Sequence, residues 1–280
     1  MKTLGYYNGK FGPLEEMTVP MNDRACYFGD GIYEATLTRN YHIFMLDAHL
    51  DRLYRSAKML DIHIPYSREE LAGILQDMVN KMDDGENFLY WQITRGSGIR
   101  RHVYADDIHS NLWITLEHST PKDQSKAYRL ITQDDTRFFH CNIKTLNLAL
   151  NCIYATRAER AGCQETVLHR GPRVTECAHS NISILKDGCF RTAPTDELIL
   201  PGIARMNLIA KCKELGVPVI ELPFTVDELM DADEVIVSSS SGFCMSAREI
   251  DGKPVGGRAQ ELLHRLQDGV MEQFYAATAL

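Results

Sequence analysis

Residues 32–60 read IYEATLTRNYHIFMLDAHLDRLYRSAKML, and the spacing of their apolar side chains changes once within this stretch. Residues 32–38 and 42–46 are rich in β-branched and aromatic side chains and flank Asn40, which predicts two strands joined by a turn. From Asp47 onward the apolar residues recur at helical spacing, at Leu50, Leu53, Tyr54, Ala57 and Leu60. This pattern predicts an amphipathic helix that ends before Pro65. Strands followed by a helix indicate a mixed α/β fold.

The same alternation continues on both sides of this stretch. Asn8-Gly9 predicts a hairpin near the N-terminus, and Ser67 with Glu70 forms a capping box that predicts the start of a second helix. Strands are predicted at 88–94 and 112–117. Further strands are predicted at 128–132, 165–168, 182–185, 217–220 and 234–237, and they alternate with helices at 147–161, 202–215 and 256–275.

A polar segment without periodicity separates the two halves of the pattern. Residues 118–126 contain Pro121 and few apolar side chains, which is typical of an interdomain linker. We therefore expect a smaller N-terminal α/β domain at 1–118, a linker at 119–127 and a larger C-terminal domain at 128–280.

Composition excludes several classes of protein. The 280 residues are 44% hydrophobic and 24% charged, which is typical of a globular chain. The net charge is −8 and no stripe of Lys or Arg occurs, so neither nucleic acid nor an anionic membrane is an expected partner. The first nine residues lack the apolar region of a secretory signal, and the eight cysteines form no C-x-x-C pair. We expect a cytoplasmic protein with reduced thiols and no metal site.

Lys144 is the first candidate catalytic residue. It lies in CNIKTLNL at 141–148, where most flanking side chains are apolar. An amine among apolar neighbours gives up its proton more readily and becomes a usable nucleophile, as Schiff-base chemistry requires. The alternative is a lysine whose stem packs while its head reaches water.

Two segments have the character of anion sites. PGIAR at 201–205 opens a predicted helix, whose free N–H groups bind anions, and Gly202 allows close approach. SSSSG at 238–242 follows a predicted buried strand and offers hydroxyl and N–H donors. Each segment also fits an ordinary helix start or loop.

Arg100 with His102, and Glu176, are further candidates for a binding site, but each of them indicates a site only together with other residues. Arg100 and His102, in RGSGIRRH at 95–102, could hold a carboxylate, although a solvated loop arginine is the simpler interpretation. Glu176, in VTEC at 174–177, could pair with a ring nitrogen. The sequence contains no GxGxxG, P-loop, HExxH or GxSxG motif, so dinucleotide, nucleotide, zinc-protease and serine-hydrolase functions lose their usual support.

Six motifs occur together in the order found in one family. They are FGDGIYE at 28–34, HLDRL at 49–53, IKTLN at 143–147, VTE at 174–176, LPGI at 200–203 and the serine run at 238–241. In this order they resemble the fold-type IV (class IV) aminotransferases, over roughly residues 3 to 275. The resemblance implies a fold-type IV enzyme with two α/β domains, an active site between them, and pyridoxal 5′-phosphate (PLP) as cofactor.

The resemblance also implies a role for each matching residue. Lys144 would join the cofactor covalently. Glu176 would pair with the pyridine nitrogen, and Leu200 would lie against the ring. The phosphate would be held by Arg52, by the N–H groups of Ile203 and Ala204 after Gly202, and by Ser239 or Ser240.

Within the family the motifs are most similar to those of the D-amino acid aminotransferases. FGDG and K-x-L-N argue against the branched-chain aminotransferases. Arg100 and His102 match the pair that traps the substrate α-carboxylate across a homodimer interface, with Tyr33 beside it. The expected reaction is ping-pong transfer of an amino group between D-alanine or D-glutamate and 2-oxoglutarate or pyruvate.

Two departures and three alternatives accompany this resemblance. Ala204 replaces a common Thr, and Ala178-His179 replaces a common Ser-Ser, so His179 could contact a substrate side chain or simply pack. The alternatives are an aminodeoxychorismate lyase, which usually lacks the Arg-x-His pair, a branched-chain or other class IV aminotransferase, and a non-catalytic PLP-binding protein.

Overall fold

The structure is a computed structural model that describes residues 2–280, and it divides into two compact units. The first unit runs up to Thr120 and also contains Ile143–Leu148 and Tyr275–Leu280. The second unit contains Pro121–Asn142 and Ala149–Phe274. Both units combine sheets with helices, so the predicted mixed α/β class is confirmed. The first break in the chain lies inside the predicted linker, whereas the segment that carries Lys144 returns to the first unit.

The first unit is built on a six-stranded sheet whose order is β2-β1-β6-β5-β3-β4. Its strands are β1 (Thr3–Tyr7), β2 (Lys10–Gly12), β3 (Gly31–Arg39), β4 (His42–Ile43), β5 (Asn87–Thr94) and β6 (Asn111–His118). Its helices are α1 (Arg24–Phe28), α2 (Leu46–Met59) and α3 (Arg68–Val79), with a short 3₁₀ turn at Leu14–Glu16. All pairings in this sheet are antiparallel.

Local sequence signals account for most of these elements. Asn8 and Gly9 both have positive φ, as a two-residue hairpin turn requires, and β1 pairs with β2 across them. The capping box of Ser67 and Glu70 is confirmed at the start of α3. The strand predicted at 42–46 ends earlier, at Ile43, because Met45 takes a left-handed conformation (φ 52°) and the chain enters α2.

The second unit is built on a nine-stranded mixed sheet. Its strands are β7 (Tyr128–Asp134), β8 (Glu165–Arg170), β9 (Arg173–Cys177), β10 (Asn181–Lys186), β11 (Cys189–Thr192), β12 (Val219–Glu221), β13 (Glu234–Ser238), β14 (Met245–Ile250) and β15 (Lys253–Pro254). They are ordered β12-β11-β10-β13-β14-β7-β8-β9, and β15 pairs with β14. The helices that follow Leu148 are α4 (Ala149–Arg160), α5 (Ile203–Glu214), α6 (Val226–Met230) and α7 (Gln260–Ala277).

Strands β9, β11, β14 and β15 are not predicted from the pattern of apolar residues. The strand β9 contains Thr175 and Glu176, and both of these polar side chains are buried. Burial of polar groups on both faces removes the alternation by which a strand is recognised. Within residues 2–280, no helix combines the length and the apolar character needed to cross a membrane.

Candidate active site

Lys144 lies in the first unit, on a short segment that runs against the start of β3. The Tyr33 N–H donates to the Lys144 carbonyl oxygen over 2.9 Å, and the Leu146 N–H donates to the Gly31 oxygen over 3.0 Å. A side chain at Gly31 would clash, because its Cβ would lie 2.6 Å from Leu146 and 2.7 Å from the Ile93 oxygen. Gly31, the second glycine of the FGDG motif, therefore allows the segment that carries Lys144 to approach the sheet closely.

The Lys144 side chain is half-buried and lies on an aromatic face. Its Nζ is 4.1 Å from the centroid of the Tyr33 ring, and Tyr33 in turn stacks on Tyr90 with the ring centroids 5.4 Å apart. An ammonium over a π-face is held by the ring quadrupole, so the two tyrosines fix the direction of the amine. The structure thus brings together Lys144 and Tyr33, two of the residues singled out in the sequence.

Arg52 lies in a buried charged cluster with Glu34 and His49. The guanidinium donates to both Glu34 oxygens, from Nε over 2.7 Å and from Nη2 over 2.6 Å, and His49 Nδ1 lies 2.7 Å from Oε2. Burial raises the pKa of Glu34, but Arg52 and the hydrogen bonds outweigh it and lower the pKa to about 2. Burial lowers the pKa of His49, and the positive Arg52 and Lys144 add to this effect. The cluster is therefore Glu34⁻, Arg52⁺ and a neutral His49 that donates to the carboxylate.

Arg100 and His102 lie on the loop between β5 and β6, and both side chains are exposed. The Arg100 guanidinium carbon is 5.2 Å from the centroid of the Phe28 ring, and the His102 ring centroid is 5.5 Å from it. One aromatic ring therefore supports both residues of the Arg-x-His pair. This loop belongs to the first unit, as do Lys144 and Arg52.

Glu176 lies in the second unit, where it is buried and accepts three hydrogen bonds. Its Oε1 accepts from Arg137 Nη1 over 2.7 Å, and its Oε2 accepts from Asn181 Nδ2 over 3.1 Å and from the Leu200 N–H over 3.0 Å. Arg137 is itself held by Asp135 through two hydrogen bonds. Burial raises the pKa of Glu176, and the donors from Arg137 and Leu200 offset this only in part. A carboxylate with a raised pKa is a strong acceptor for a proton on a ring nitrogen.

The second unit also contains the N-terminus of helix α5, a possible anion site. Helix α5 starts after Gly202, and within residues 2–280 no side chain caps this end. A Cβ at Gly202 would lie 2.0 Å from Asn181 Oδ1, so only glycine fits here. Ile203 and Ala204 are the first two residues of the helix, so their N–H groups have no acceptor within it and are the donors of a helix start.

The serine run follows β13 as a turn. The Ser239 hydroxyl oxygen accepts from the Gly242 N–H over 3.1 Å, and its carbonyl oxygen accepts from the Phe243 N–H over 2.8 Å. Ser239 and Ser240 are both partly exposed. The Ser239 hydroxyl acts as an acceptor in this turn, and a hydroxyl can also donate its hydrogen to another group.

His179 pairs with a buried carboxylate. Its Nδ1 lies 2.5 Å from Glu165 Oε2, and the Ser180 hydroxyl donates to the same oxygen over 2.6 Å. Glu165 is completely buried, and burial raises its pKa, but the bonds from His179 and Ser180 outweigh this and lower it. The structure therefore shows His179 paired with Glu165.

Four residues of these clusters were not predicted as site residues: Glu34, His49, Asp135 and Arg137. Glu34 and His49 lie inside the FGDGIYE and HLDRL motifs, and a charged pair within buried segments is the signal that could have identified them. Asp135 and Arg137 belong to no quoted motif. Within residues 2–280, no group of three His, Cys, Asp or Glu side chains is arranged to hold a metal ion.

The residues present fit PLP by their chemistry. The cofactor offers an aldehyde, a pyridine nitrogen and a phosphate, which require an amine, a buried carboxylate and anion donors respectively. Lys144 offers such an amine, Glu176 is a buried carboxylate, and Arg52 and the start of helix α5 at Gly202 offer anion donors. A mixed α/β fold with these groups fits a PLP-dependent enzyme that uses a Schiff-base lysine.

Comparison with known proteins identifies the family. The model for amino-transferase class IV matches residues 31–250. The D-alanine aminotransferase of Listeria monocytogenes serotype 4b (strain F2365) is 39% identical over 269 residues, which cover 94% of this chain and 93% of that protein. The D-alanine aminotransferase of Bacillus licheniformis is 35% identical over 282 residues, with 100% and 99% covered. The chain belongs to the class IV aminotransferase family.

Solved structures show the same fold. The T.th. branched-chain amino acid aminotransferase, complexed with N-(5'-phosphopyridoxyl)-L-glutamate, superposes with a TM-score of 0.88 at 25% identity, covering 98% of this chain and 94% of that one. The branched-chain enzyme of Escherichia coli superposes with a TM-score of 0.90 at 23% identity, covering 100% and 96%. The predicted fold-type IV architecture is confirmed.

Proposed function

We propose that this protein transfers an amino group between a D-amino acid and a 2-oxo acid with PLP as its cofactor. D-alanine or D-glutamate would be the donor, and pyruvate or 2-oxoglutarate the acceptor. The observation that carries the proposal is the likeness to D-alanine aminotransferases over at least 94% of the chain, at 35–39% identity in the two relatives above. The full set of Lys144, Arg52 and Glu176 argues against a non-catalytic PLP-binding protein.

Residues from several of the sequence motifs would hold the cofactor. Arg52, the N–H groups of Ile203 and Ala204, and the hydroxyl of Ser239 or Ser240 would bind the phosphate. Lys144 would hold the aldehyde carbon, and Leu200 would lie against the ring. The Leu200 N–H already donates to Glu176, so this residue fixes the carboxylate as well. When bound, PLP supplies an electron sink for the substrate Cα.

The residues of this chain would move and hold the protons. The Lys144 amine would remove the proton from the substrate Cα as a general base and return it, as a general acid, to the C4′ carbon of the cofactor. Glu176 would hold a proton at the pyridine nitrogen. Its donors from Arg137, Asn181 and Leu200 fix both carboxylate oxygens, so the carboxylate is preorganised for that contact.

Arg100 and His102 would bind the substrate α-carboxylate, with Tyr33 beside it. The exposure of both side chains supports an action across the interface of a homodimer, as the family resemblance implies. Because the carboxylate anchor decides which substituent of Cα faces Lys144, these two residues would set the preference for D-amino acids. The eight cysteines are free thiols, which supports a reducing compartment such as the cytoplasm.

A half-reaction with separate enantiomers tests the proposal. Purified enzyme saturated with PLP is mixed with D-alanine or with L-alanine and no acceptor, and the cofactor absorbance and the pyruvate formed are followed together. We expect about one pyruvate per site with D-alanine, and further turnover only after 2-oxoglutarate is added. Reaction with L-alanine alone, or with neither enantiomer, would contradict the proposal. Continuous pyruvate release from aminodeoxychorismate without an acceptor would indicate the lyase instead.

A further inference from the structure

A long loop without helix or strand connects β5 to β6, and it carries the Arg-x-His pair. We call residues 95–110 the β5–β6 loop. Backbone bonds hold its stem: the Arg24 N–H donates to the Gly96 oxygen over 2.9 Å, and the Gly98 N–H donates to the Asn22 oxygen over 3.0 Å. Gly96 has a φ of 128°, and a Cβ there would lie 2.1 Å from the His109 oxygen. The two ends of the loop are therefore in close contact. These backbone bonds involve Gly96 and Gly98, so they do not hold residues 100–104.

The side chain of Arg24 holds the part of the loop beyond the stem. Its Nη1 donates to the Arg101 carbonyl oxygen over 2.7 Å, and its Nη2 donates to the His102 carbonyl oxygen over 3.3 Å. Its Nε donates to Asp30 Oδ2 over 2.7 Å, and Arg95 holds the same carboxylate. Arg24 is almost completely buried. A guanidinium fixed by one carboxylate presents its other donors in a rigid fork, so it fixes two consecutive carbonyl groups.

Phe28 supports the functional side chains themselves. The Arg24 guanidinium carbon is 4.8 Å from its ring centroid, the Arg100 carbon is 5.2 Å away, and the His102 ring centroid is 5.5 Å away. Cation–π and ring contacts of this kind restrict the rotamers of exposed side chains. Arg24 fixes the backbone of the pair, and Phe28 fixes the side chains.

We propose that Arg24 and Phe28 are positioning residues for the carboxylate trap, acting through Arg100 and His102 to set the affinity for the substrate. This inference rests on the proposed function, because it assumes that the pair binds the α-carboxylate. A misplacement of about 1 Å in a positioning group can cost roughly 100-fold. We therefore expect that loosening the loop raises KM for D-alanine by roughly 10- to 100-fold and leaves kcat much less affected.

The test uses the PLP-saturated enzyme and three kinds of variant. Arg24→Gln removes the fork, while Asp30 stays paired with Arg95. Phe28→Leu removes the aromatic face, and Phe28→Tyr retains it. Arg101→Gln is the matched control, because it removes an exposed arginine side chain from the same loop while the carbonyl that Arg24 holds is kept. The readouts are KM and kcat for D-alanine, the Kd for PLP, and hydrogen exchange of residues 97–104.

The expected result is a selective one. Arg24→Gln and Phe28→Leu should raise KM, and Arg24→Gln should also accelerate exchange in residues 97–104. The Kd for PLP should stay close to the wild-type value in all variants. The two controls, Phe28→Tyr and Arg101→Gln, should also keep KM and kcat close to the wild-type values. Adding Arg24→Gln to Arg100→Ala should raise KM little further, because residues that act through one another are not additive.

Other outcomes would overturn the inference. A merely structural role for Arg24 would lower kcat, Tm and PLP affinity together without a selective rise in KM. Unchanged KM and unchanged exchange in Arg24→Gln, in an enzyme whose wild type consumes D-alanine, would reject this inference and leave the proposed function intact. A wild type that reacts with neither alanine enantiomer would reject the proposed function and, with it, the role of the loop as a carboxylate trap.

Discussion

Replacing Glu34 by Gln should reveal how strongly the buried cluster around Arg52 stabilises the protein. The pKa of Glu34 is lowered from 4.5 to about 2 in the folded chain, because Arg52 and the hydrogen bonds outweigh burial. A shift of about 2.5 pKa units at about 1.36 kcal/mol each corresponds to about 3 kcal/mol of stability at neutral pH. The substitution also leaves Arg52 buried without its carboxylate, and breaking such a pair typically costs about 3–5 kcal/mol. We expect a loss of about 3 kcal/mol at pH 7.

The dependence of this loss on pH separates charge from packing. A carboxyl whose folded pKa is depressed stabilises the protein above its unfolded pKa, and this stabilisation disappears as the pH falls from about 4.5 towards about 2. At pH 3.5 the unfolded chain binds about one more proton at this site than the folded chain. The difference in unfolding free energy between the wild type and Glu34→Gln should therefore be smaller at pH 3.5 than at pH 7, by about 1 kcal/mol.

Urea unfolding of the PLP-saturated proteins at pH 7 and pH 3.5 measures both quantities. Glu272→Gln is the matched control, since Glu272 is an exposed glutamate of α7 and its replacement should change the free energy of unfolding by less than about 0.5 kcal/mol. An equal gap at the two pH values would refute the charge argument. A gap below about 1 kcal/mol at pH 7 would refute the claim that the cluster stabilises the fold.

Three further substitutions test other parts of the site. Glu176→Gln should slow the D-alanine half-reaction by roughly 100-fold or more, as loss of a proton-holding group does, and stopped-flow absorbance should show this with little change in PLP affinity. Gly202→Ala should weaken PLP binding by roughly 5- to 100-fold, since the new Cβ would overlap Asn181 and overpacking typically costs about 1–3 kcal/mol; titration of the apoprotein measures it. Arg100→Ala should raise KM for D-alanine with a smaller effect on kcat, and an unchanged KM in steady-state assays would reject the carboxylate trap.

The elements of the fold could be predicted where the local pattern decides the structure. The helix beginning near Asp47 and the capping box at Ser67 follow from side chains within a few residues of each other. Strand β9 could not be predicted, because Thr175 and Glu176 are buried through partners on distant segments. The assignment of residues 143–148 to the first unit depends on the pairing of Ile32 with Thr145, which no local signal encodes.

The candidate site divides in the same way. The residues Lys144, Arg52 and Glu176 can be recognised from the sequence, because each lies in a short motif and the motifs occur in the order found in the family. Their hydrogen-bond partners cannot be recognised in this way, because they lie far away in the sequence. Arg137 precedes Glu176 by 39 residues, and Glu34 precedes Arg52 by 18. Such partners are set by the geometry of sheet and helix, so they become visible only when the chain is folded.

Covalent attachment of PLP to Lys144 is the most direct test of the central claim. The resting, PLP-saturated enzyme is treated with borohydride, which turns a reversible bond between an amine and an aldehyde into a stable one, and the labelled peptide is mapped by mass spectrometry. We predict one label per chain, on Lys144, and no label in Lys144→Ala. A label on another lysine of the wild type, or no label with PLP in excess, would contradict the account.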